Sequence, residues 1–234
     1  MTISGLLSAT FHEPGYRHLV ELVHQRDLQA HRHLATLEVA VYDAEGRQRS
    51  RAELDTRQGV VDLAELLEPN GSRRERLLVV FDARYEPTRF PYRPHHYAYL
   101  HRAGSHRPPL YYAVNATLGG VPDRVGTTRF NHFETYLFLQ RGPAQRATLL
   151  IGNLSRFAAA RADVTSFYGP ERSEQAVELP PKAHAEVALA AELSGHRLGR
   201  VDLKAPFRLT SYVAGRDSVS GDLVLFDHLF TYFK

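Results

Sequence analysis

Apolar residues in this chain recur at every second position, in short runs that Gly, Pro, Asp and Asn interrupt. The segment Leu34–Tyr42 (LATLEVAVY) is a clear example. Because successive side chains point to opposite faces of a strand, this period is typical of a half-buried antiparallel sheet. Convincing long amphipathic helices are missing. The sequence therefore predicts an all-β protein.

The alternation locates the strands along the whole length of the chain. We predict strands at His18–His24, Leu34–Tyr42, Leu77–Ala83, His96–His101, Leu110–Thr117, Phe133–Gln140, Thr148–Asn153, Ala162–Tyr168, Ala176–Leu179, Glu186–Ala190, Phe207–Ala214 and Asp222–Phe233.

The two halves of the chain resemble each other at a nearly constant offset. Val39, Tyr42 and Leu54 fall opposite Val164, Phe167 and Leu179 at an offset of 125, and Val61, Leu63 and Leu67 fall opposite Val187, Leu189 and Leu193 at 126. The pattern His-x-x-[Ala/Thr]-Tyr closes both halves, at 95–100 (HHYAYL) and 228–233 (HLFTYF), and opens the second at 132–137 (HFETYL).

These matches predict two tandem antiparallel β-sandwich lobes that arose by internal duplication. We expect a first lobe at 1–117, a linker at 118–131 and a second lobe at 132–234.

A segment rich in proline, arginine and tyrosine, Tyr85–Arg129, fits neither half. It contains six prolines, and the seven arginines from Arg84 to Arg129 against Glu86 and Asp123 give a local charge of +5, whereas the whole chain carries +3. Because proline disrupts regular central strands, we predict a long irregular excursion between the lobes.

Arginine presents a planar fork to anions, and tyrosine presents a flat ring for stacking. The excursion therefore predicts a surface for an anionic ligand or a protein partner. The candidate residues are Arg84, Arg89, Arg93, Arg102, Arg107, Tyr97, Tyr99 and Tyr111. The alternative is that the arginines only coat an exposed loop while the aromatic rings hold it to the sheets.

The repeated histidine pattern indicates a second kind of site. If the three strands are neighbours, His95, His132 and His228 could join Glu134 as three imidazoles and one carboxylate, a set that binds divalent metals. The alternative is a repeated structural position in which each ring is hydrogen-bonded to backbone.

Another candidate metal set lies near the start of the chain. His31 and His33 are followed by Glu38, an arrangement that resembles the first metal motif of the cupin family. That resemblance covers about 16 residues, with Gln25 where the motif has glycine, and implies a divalent metal held by these three side chains.

Missing residues and motifs exclude several classes of function. The chain has no cysteine, so disulfides, thiolate zinc sites, iron–sulfur clusters and a cysteine nucleophile are excluded. Nucleotide-binding glycine loops and the serine-hydrolase elbow do not occur, and no nucleic-acid-binding motif is found. We expect no cofactor apart from the divalent metal of the alternative sites.

The sequence thus favours a non-catalytic binding or interaction protein. A metal-dependent enzyme or metal-binding sensor is the main alternative, and a homo-oligomer formed through exposed sheet faces is another. Met1 to Thr10 carry no basic leader, and no stretch reaches the roughly 18 apolar residues of a membrane span. We expect a cytoplasmic location and no membrane or nucleic-acid partner.

Overall fold

A computed structural model describes residues 2–22, 32–67, 75–89, 96–117, 132–137 and 145–231. They form mainly β-strands, with a short 3-10 turn at Leu63–Glu65. The all-β prediction is confirmed. The chain divides into two compact units, residues 1–119 and 120–234.

The described residues of the first unit form nine strands. In chain order they are β1 (Thr2–His12), β2 (Arg17–Glu21), β3 (Leu34–Tyr42), β4 (Gln48–Leu54), β5 (Val60–Asp62), β6 (Leu77–Arg89), β7 (Tyr97–His101), β8 (Leu110–Ala113) and β9 (Asn115–Thr117). They form a five-stranded sheet in the order β4-β3-β6-β1-β9 and a four-stranded sheet in the order β5-β2-β7-β8. All pairings are antiparallel.

In the part of the second unit that the structure describes there are eleven strands. They are β10 (His132–Leu137), β11 (Gln145–Gly152), β12 (Ala160–Tyr168), β13 (Glu171–Leu179), β14 (His184–Leu189), β15 (Glu192–Leu193), β16 (His196–Arg197), β17 (Arg200–Ala205), β18 (Thr210–Asp217), β19 (Leu223–His228) and β20 (Phe230–Thr231). The sheet orders are β13-β12-β17-β10-β20 and β14-β11-β18-β19, and β15 and β16 form a separate hairpin. The apolar core of this unit consists mainly of residues from β11, β12, β14 and β17.

The prediction of two tandem β-sandwich lobes is wrong. The principal strands are divided among four small antiparallel sheets of four or five strands, which resemble propeller blades. The description of the chain as a tandem repeat of β-sandwiches is therefore wrong as well. Period-two alternation occurs in sandwiches and propellers alike, so the sequence pattern could not separate the two architectures.

The prediction that Tyr85–Arg129 is irregular is also wrong for those of its residues that the structure describes. β7 and β8 both lie within this segment, and β7 is a central strand of its sheet. Both strands are free of proline because Pro108 and Pro109 lie in the loop between them. Pro87 lies in β6 where its pairing with β1 is interrupted, a position at which a missing N–H is tolerated.

A buried aspartate organises the β3–β4 hairpin. The Asp43 carboxylate accepts hydrogen bonds from the backbone N–H groups of Glu45 (3.1 Å) and Arg47 (2.8 Å) and pairs with the guanidinium groups of Arg47 and Arg49. Burial alone would raise the pKa of this carboxyl, but the hydrogen bonds and charge of Arg47 hold it below its usual range. The turn between the two strands is therefore specified locally.

The two units connect their principal strands in the same way. The strands β1 to β9 can be matched in chain order with β10 to β14 followed by β17 to β20. With this matching, the strand order of each sheet in the first unit is the strand order of a sheet in the second. Positions in the two units can therefore be compared through their hydrogen bonds.

Candidate functional site

Three of the predicted ligand-binding tyrosines meet on the outer side of the sheet β5-β2-β7-β8. The rings of Tyr97 and Tyr111 are stacked, with centroids 5.3 Å apart and an interplanar angle of 12°, and Tyr99 leans on Tyr111 at 4.6 Å. Tyr99 is 37% exposed and Tyr111 is 47% exposed. Rings that are exposed to this extent place a large apolar area on the surface of the protein.

The strand register explains why these rings share a face. Tyr99 lies directly opposite Tyr111 on β8 and Leu19 on β2. Because alternate residues of a strand share a face, Tyr97 and His101 lie on that side as well. We call this surface the tyrosine face and define it by Arg17, Leu19, Glu21, Tyr97, Tyr99, His101 and Tyr111, of which Arg17 pairs with His101 and Glu21 with Tyr97.

A pocket of about 270 Å³ opens at one end of the tyrosine face. It is lined by Arg17, Leu19, Tyr99, His101 and Pro109. The Arg17 guanidinium is held by Asp62 on β5, with Nε and Oδ2 2.9 Å apart. The pocket thus combines apolar walls with a cationic rim.

Glu21 lies at the other end of the tyrosine face. Partial burial first, and then the neighbouring Tyr99, Glu21 and Tyr97, raise the pKa of Tyr111 to about 12. The Tyr111 phenol is therefore neutral at physiological pH and can donate a hydrogen bond to a ligand.

The predicted arginines divide among several places. Arg102 and Arg107 are exposed in the loop that joins β7 to β8 and so lie beside the pocket, whereas Arg84 and Arg89 lie on β6 in the other sheet. The Arg84 guanidinium is 2.8 Å from the Asp82 carboxylate. Arg93 lies outside the described residues. The structure therefore joins the three tyrosines with two of the five arginines.

The first metal set is not brought together by the described residues. His95 lies outside them, and of His132 only the place in β10 is described. Glu134 is buried and accepts a hydrogen bond from the Ser211 hydroxyl, whereas the His228 side chain lies beside Asp227 and Phe230.

Strand register separates Glu134 from His228. His228 lies directly opposite Tyr212, the residue next to Ser211, so its side chain and that of Ser211 point to opposite faces of the sheet. Because Glu134 meets Ser211, Glu134 and His228 lie on opposite sides of the sheet.

The cupin-like set is not assembled either. His31 lies outside the described residues, His33 is half-buried in a turn, and Glu38 on β3 is paired with Arg51. Among the residues that the structure describes, no group of three histidine or carboxylate side chains could hold a metal ion.

A buried polar network in the first unit was not foreseen from the sequence. Ser8, Thr10 and His12 alternate along one face of β1 and are all buried. The Tyr112 hydroxyl lies 2.6 Å from Thr10 Oγ1 and 2.7 Å from His18 Nε2.

Burial, and secondarily His12, lowers the pKa of His18 to about 3, so its imidazole is neutral in the folded protein. This network lies in the interior, out of reach of a ligand, and its geometry supports a role in packing β1, β2 and β8.

Equivalent positions in the two units carry equivalent pairs. The N–H of Val114 donates to the carbonyl of His96 (2.8 Å), as that of Leu229 does to Ser211 (3.2 Å). By this register the Ser8–His96 hydrogen bond of the first unit corresponds to the Ser211–Glu134 hydrogen bond of the second.

By the same register, Tyr97 corresponds to Tyr212 and Tyr111 corresponds to Phe226. These rings are also stacked, with centroids 5.1 Å apart. Tyr212 and Phe226 are only 0% and 3% exposed, whereas Tyr111 is 47% exposed. One aromatic pair is thus buried, whereas in its equivalent Tyr111 is exposed and Tyr97 is half-buried.

Searches against protein-family models and curated proteins found no match to this sequence. In the described part of the chain, no helix is long and apolar enough to cross a membrane.

Proposed function

We propose that this chain is a non-catalytic binding protein and that the tyrosine face is its binding surface for a protein partner or an anionic ligand. The observation that carries this proposal is the stack of the exposed Tyr111 on the half-buried Tyr97, whose equivalent in the second unit is buried. Tyrosine and arginine are the residues that contribute most to binding at interfaces, especially beside a pocket. Both are present here, at Tyr99 and Arg17.

The face is also small. Four strands about 4.8 Å apart and three rows of side chains cover a few hundred Å², compared with about 800 Å² per partner in a standard protein interface. A short segment of a partner, or a small ligand, suits this area better than a large rigid interface.

Selection from a phage-displayed library of random peptides would test the proposal. We expect selected peptides to bind the wild-type protein and to lose at least about tenfold in affinity to a Tyr99→Ala/Tyr111→Ala variant, as expected for central aromatic residues. The Phe157→Ala variant is the matched control because Phe157 is 56% exposed and lies in the other unit. Failure to select any peptide, or equal binding to the double variant, would overturn the proposal.

A cytoplasmic location is proposed from the sequence alone. Fractionation of cells that express the protein at its native level would test it.

A further inference from the structure

We infer that the tyrosine face binds an acidic peptide segment of a partner protein, with an aromatic side chain of the segment in the pocket and its carboxylates at the β7–β8 loop. This inference rests on the proposed function and specifies the chemistry of the partner. It depends on the size of the pocket, on the charges around it, and on the way in which the equivalent face is covered.

The size of the pocket suits one side chain. Its volume of about 270 Å³ is below the roughly 300–1,000 Å³ of pockets that enclose a drug-sized ligand. Leu19, Tyr99 and Pro109 supply apolar walls, so an aromatic ring can replace water there with a favourable free energy. The remainder of the ligand must then lie outside the pocket, as the backbone of a peptide would.

The segment of sequence that contains β7, β8 and the loop between them carries positive charge and no acidic residue. Residues 87–122 contain no aspartate or glutamate. The β7–β8 loop begins next to the pocket, since Leu100 pairs with Leu110 and the flanking His101 and Pro109 both line it. The same loop exposes Arg102, His106 and Arg107.

This loop is an ordered turn that presents its arginines from a defined position. The N–H of Ser105 donates to the Arg102 carbonyl, and the Ser105 hydroxyl accepts from the N–H of Arg107, both at 3.1 Å. Gly104, at a φ of 77°, supplies the left-handed conformation that the turn needs. A preorganised cationic loop attracts carboxylates without a large ordering cost.

Charges on the face also fix the direction of the peptide. Glu21 lies four residues along β2 from Arg17, about 13 Å at 3.3 Å per residue. Carboxylates placed near Glu21 would be repelled, whereas carboxylates near Arg102 and Arg107 would be attracted. The acidic residues of the segment therefore lie on the loop side of the aromatic side chain.

The second unit shows that this aromatic pair is suited to a protein cover. Tyr212 and Phe226 occupy the positions of Tyr97 and Tyr111, and protein atoms exclude water from them almost completely. The exposed pair offers the same stacked geometry to a partner segment.

A set of matched synthetic peptides tests the inference. The probe is acetyl-Gly-Phe-Asp-Glu-Asp-Gly-amide, with two comparison peptides: one replaces the acids by Asn-Gln-Asn, and the other replaces Phe by Ala. NMR titration of the full chain would follow the ring signals of Tyr97, Tyr99 and Tyr111. We expect the acidic Phe peptide to bind at least about fivefold more tightly than either comparison peptide, and salt to weaken its binding.

Charge reversal in the loop provides the second measurement. We expect Arg102→Glu/Arg107→Glu to weaken binding of the acidic peptide about five- to tenfold, since each exposed ion pair contributes up to about 1 kcal/mol. The matched control, Arg161→Glu/Arg172→Glu, makes the same change of net charge at exposed positions of the second unit and should leave binding unchanged.

The outcomes separate this inference from the proposed function. Equal binding of the neutral peptide, or an unchanged affinity in the loop variant, would overturn the acidic-peptide inference while the tyrosine face remained a binding surface. If no peptide, acidic or neutral, shifted the tyrosine signals, both would be overturned.

Discussion

His18 is buried as a neutral base, and its burial makes the stability of the folded protein depend on pH. Its pKa falls from 6.5 to about 3 on folding, so between these values the unfolded chain binds a proton that the folded chain does not. The free energy of unfolding must therefore decrease as the pH is lowered from about 6.5 towards 3. The slope contributed by this one group approaches about 1.4 kcal/mol per pH unit.

Urea denaturation at a series of pH values would check this prediction. We expect the stability of a His18→Gln variant to fall less steeply than that of the wild type between about pH 6 and pH 4. His106→Gln, which changes an exposed histidine of the β7–β8 loop, should retain the wild-type slope. Parallel curves for the wild type and His18→Gln would show that His18 is not buried as a neutral base.

The same residue shows why sequence alone located only part of the candidate site. In β2 the polar His18 points inward and the apolar Leu19 points outward, which inverts the usual alternation. The charges of Arg17 and Glu21 indicate a surface, but hydropathy gave no sign that the apolar Leu19 lies on the same face. The tyrosines were found because they are concentrated in a short stretch, whereas Arg17 is distant from them in sequence and adjacent only through strand pairing.

At the level of elements, Asn153 connects three segments of the second unit. Its buried side-chain amide donates to the carbonyls of Ala158 (2.8 Å), Leu179 (3.1 Å) and Pro180 (3.1 Å), and its Oδ1 accepts from the N–H of Ser155 (2.9 Å). The end of β13 and the loop before β12 are thereby fixed to the end of β11.

Asn153→Asp should destabilise the second unit by at least about 3 kcal/mol, because it places a buried carboxylate against three carbonyl oxygens. Asn153→Ala, which removes the donors without adding charge, should cost about 1–3 kcal/mol. Thermal unfolding of the two variants and the wild type would measure the difference. Equal melting temperatures for the wild type and Asn153→Asp would contradict the network.

Strands were predictable where one face is apolar and the other polar. β3 has the predicted ends at Leu34 and Tyr42, because its core-facing Leu37, Val39 and Val41 alternate with polar residues and the small, buried Ala40. β1 was missed because Ser8, Thr10 and His12 face the interior, where Ser8 is hydrogen-bonded to His96 and Thr10 to Tyr112, and do not mark the surface. β4 was missed because it is an edge strand in which no side chain is fully buried.

The C-terminal segment shows a related limit of prediction from sequence. The very apolar segment 222–233 suggested one buried strand, but the described part forms β19 and β20, each at the edge of a different sheet. Apolar composition reports burial and does not report the position of a strand within its sheet.

At the level of the whole molecule, the two units have the same strand connectivity, but their equivalent positions differ in chemistry or in exposure. The inner polar pair is Ser8 with His96 in one unit and Glu134 with Ser211 in the other, so polar contacts persist there with different chemistry. The outer aromatic pair keeps its chemistry but differs in exposure. The same geometry therefore occurs in a buried environment in one unit and in a more exposed environment in the other.

This difference predicts opposite effects of equivalent substitutions. Tyr212→Ala removes a fully buried ring and should cost about 3–5 kcal/mol, as other large-to-small core substitutions do. Tyr97→Ala and Tyr111→Ala remove rings of the solvent-facing pair and should each cost about 1 kcal/mol or less. Hydrogen exchange of β18 and of β7 under increasing urea would report the stability of each unit separately.

Tyr212→Phe serves as the control because it keeps the buried ring, and it should remain close to the wild type. If Tyr111→Ala destabilised the first unit as strongly as Tyr212→Ala destabilises the second, the exposed stack would be a structural element instead of a binding surface. A small cost for Tyr97→Ala and Tyr111→Ala, combined with a loss of peptide binding in Tyr99→Ala/Tyr111→Ala, is the result that the proposed function requires.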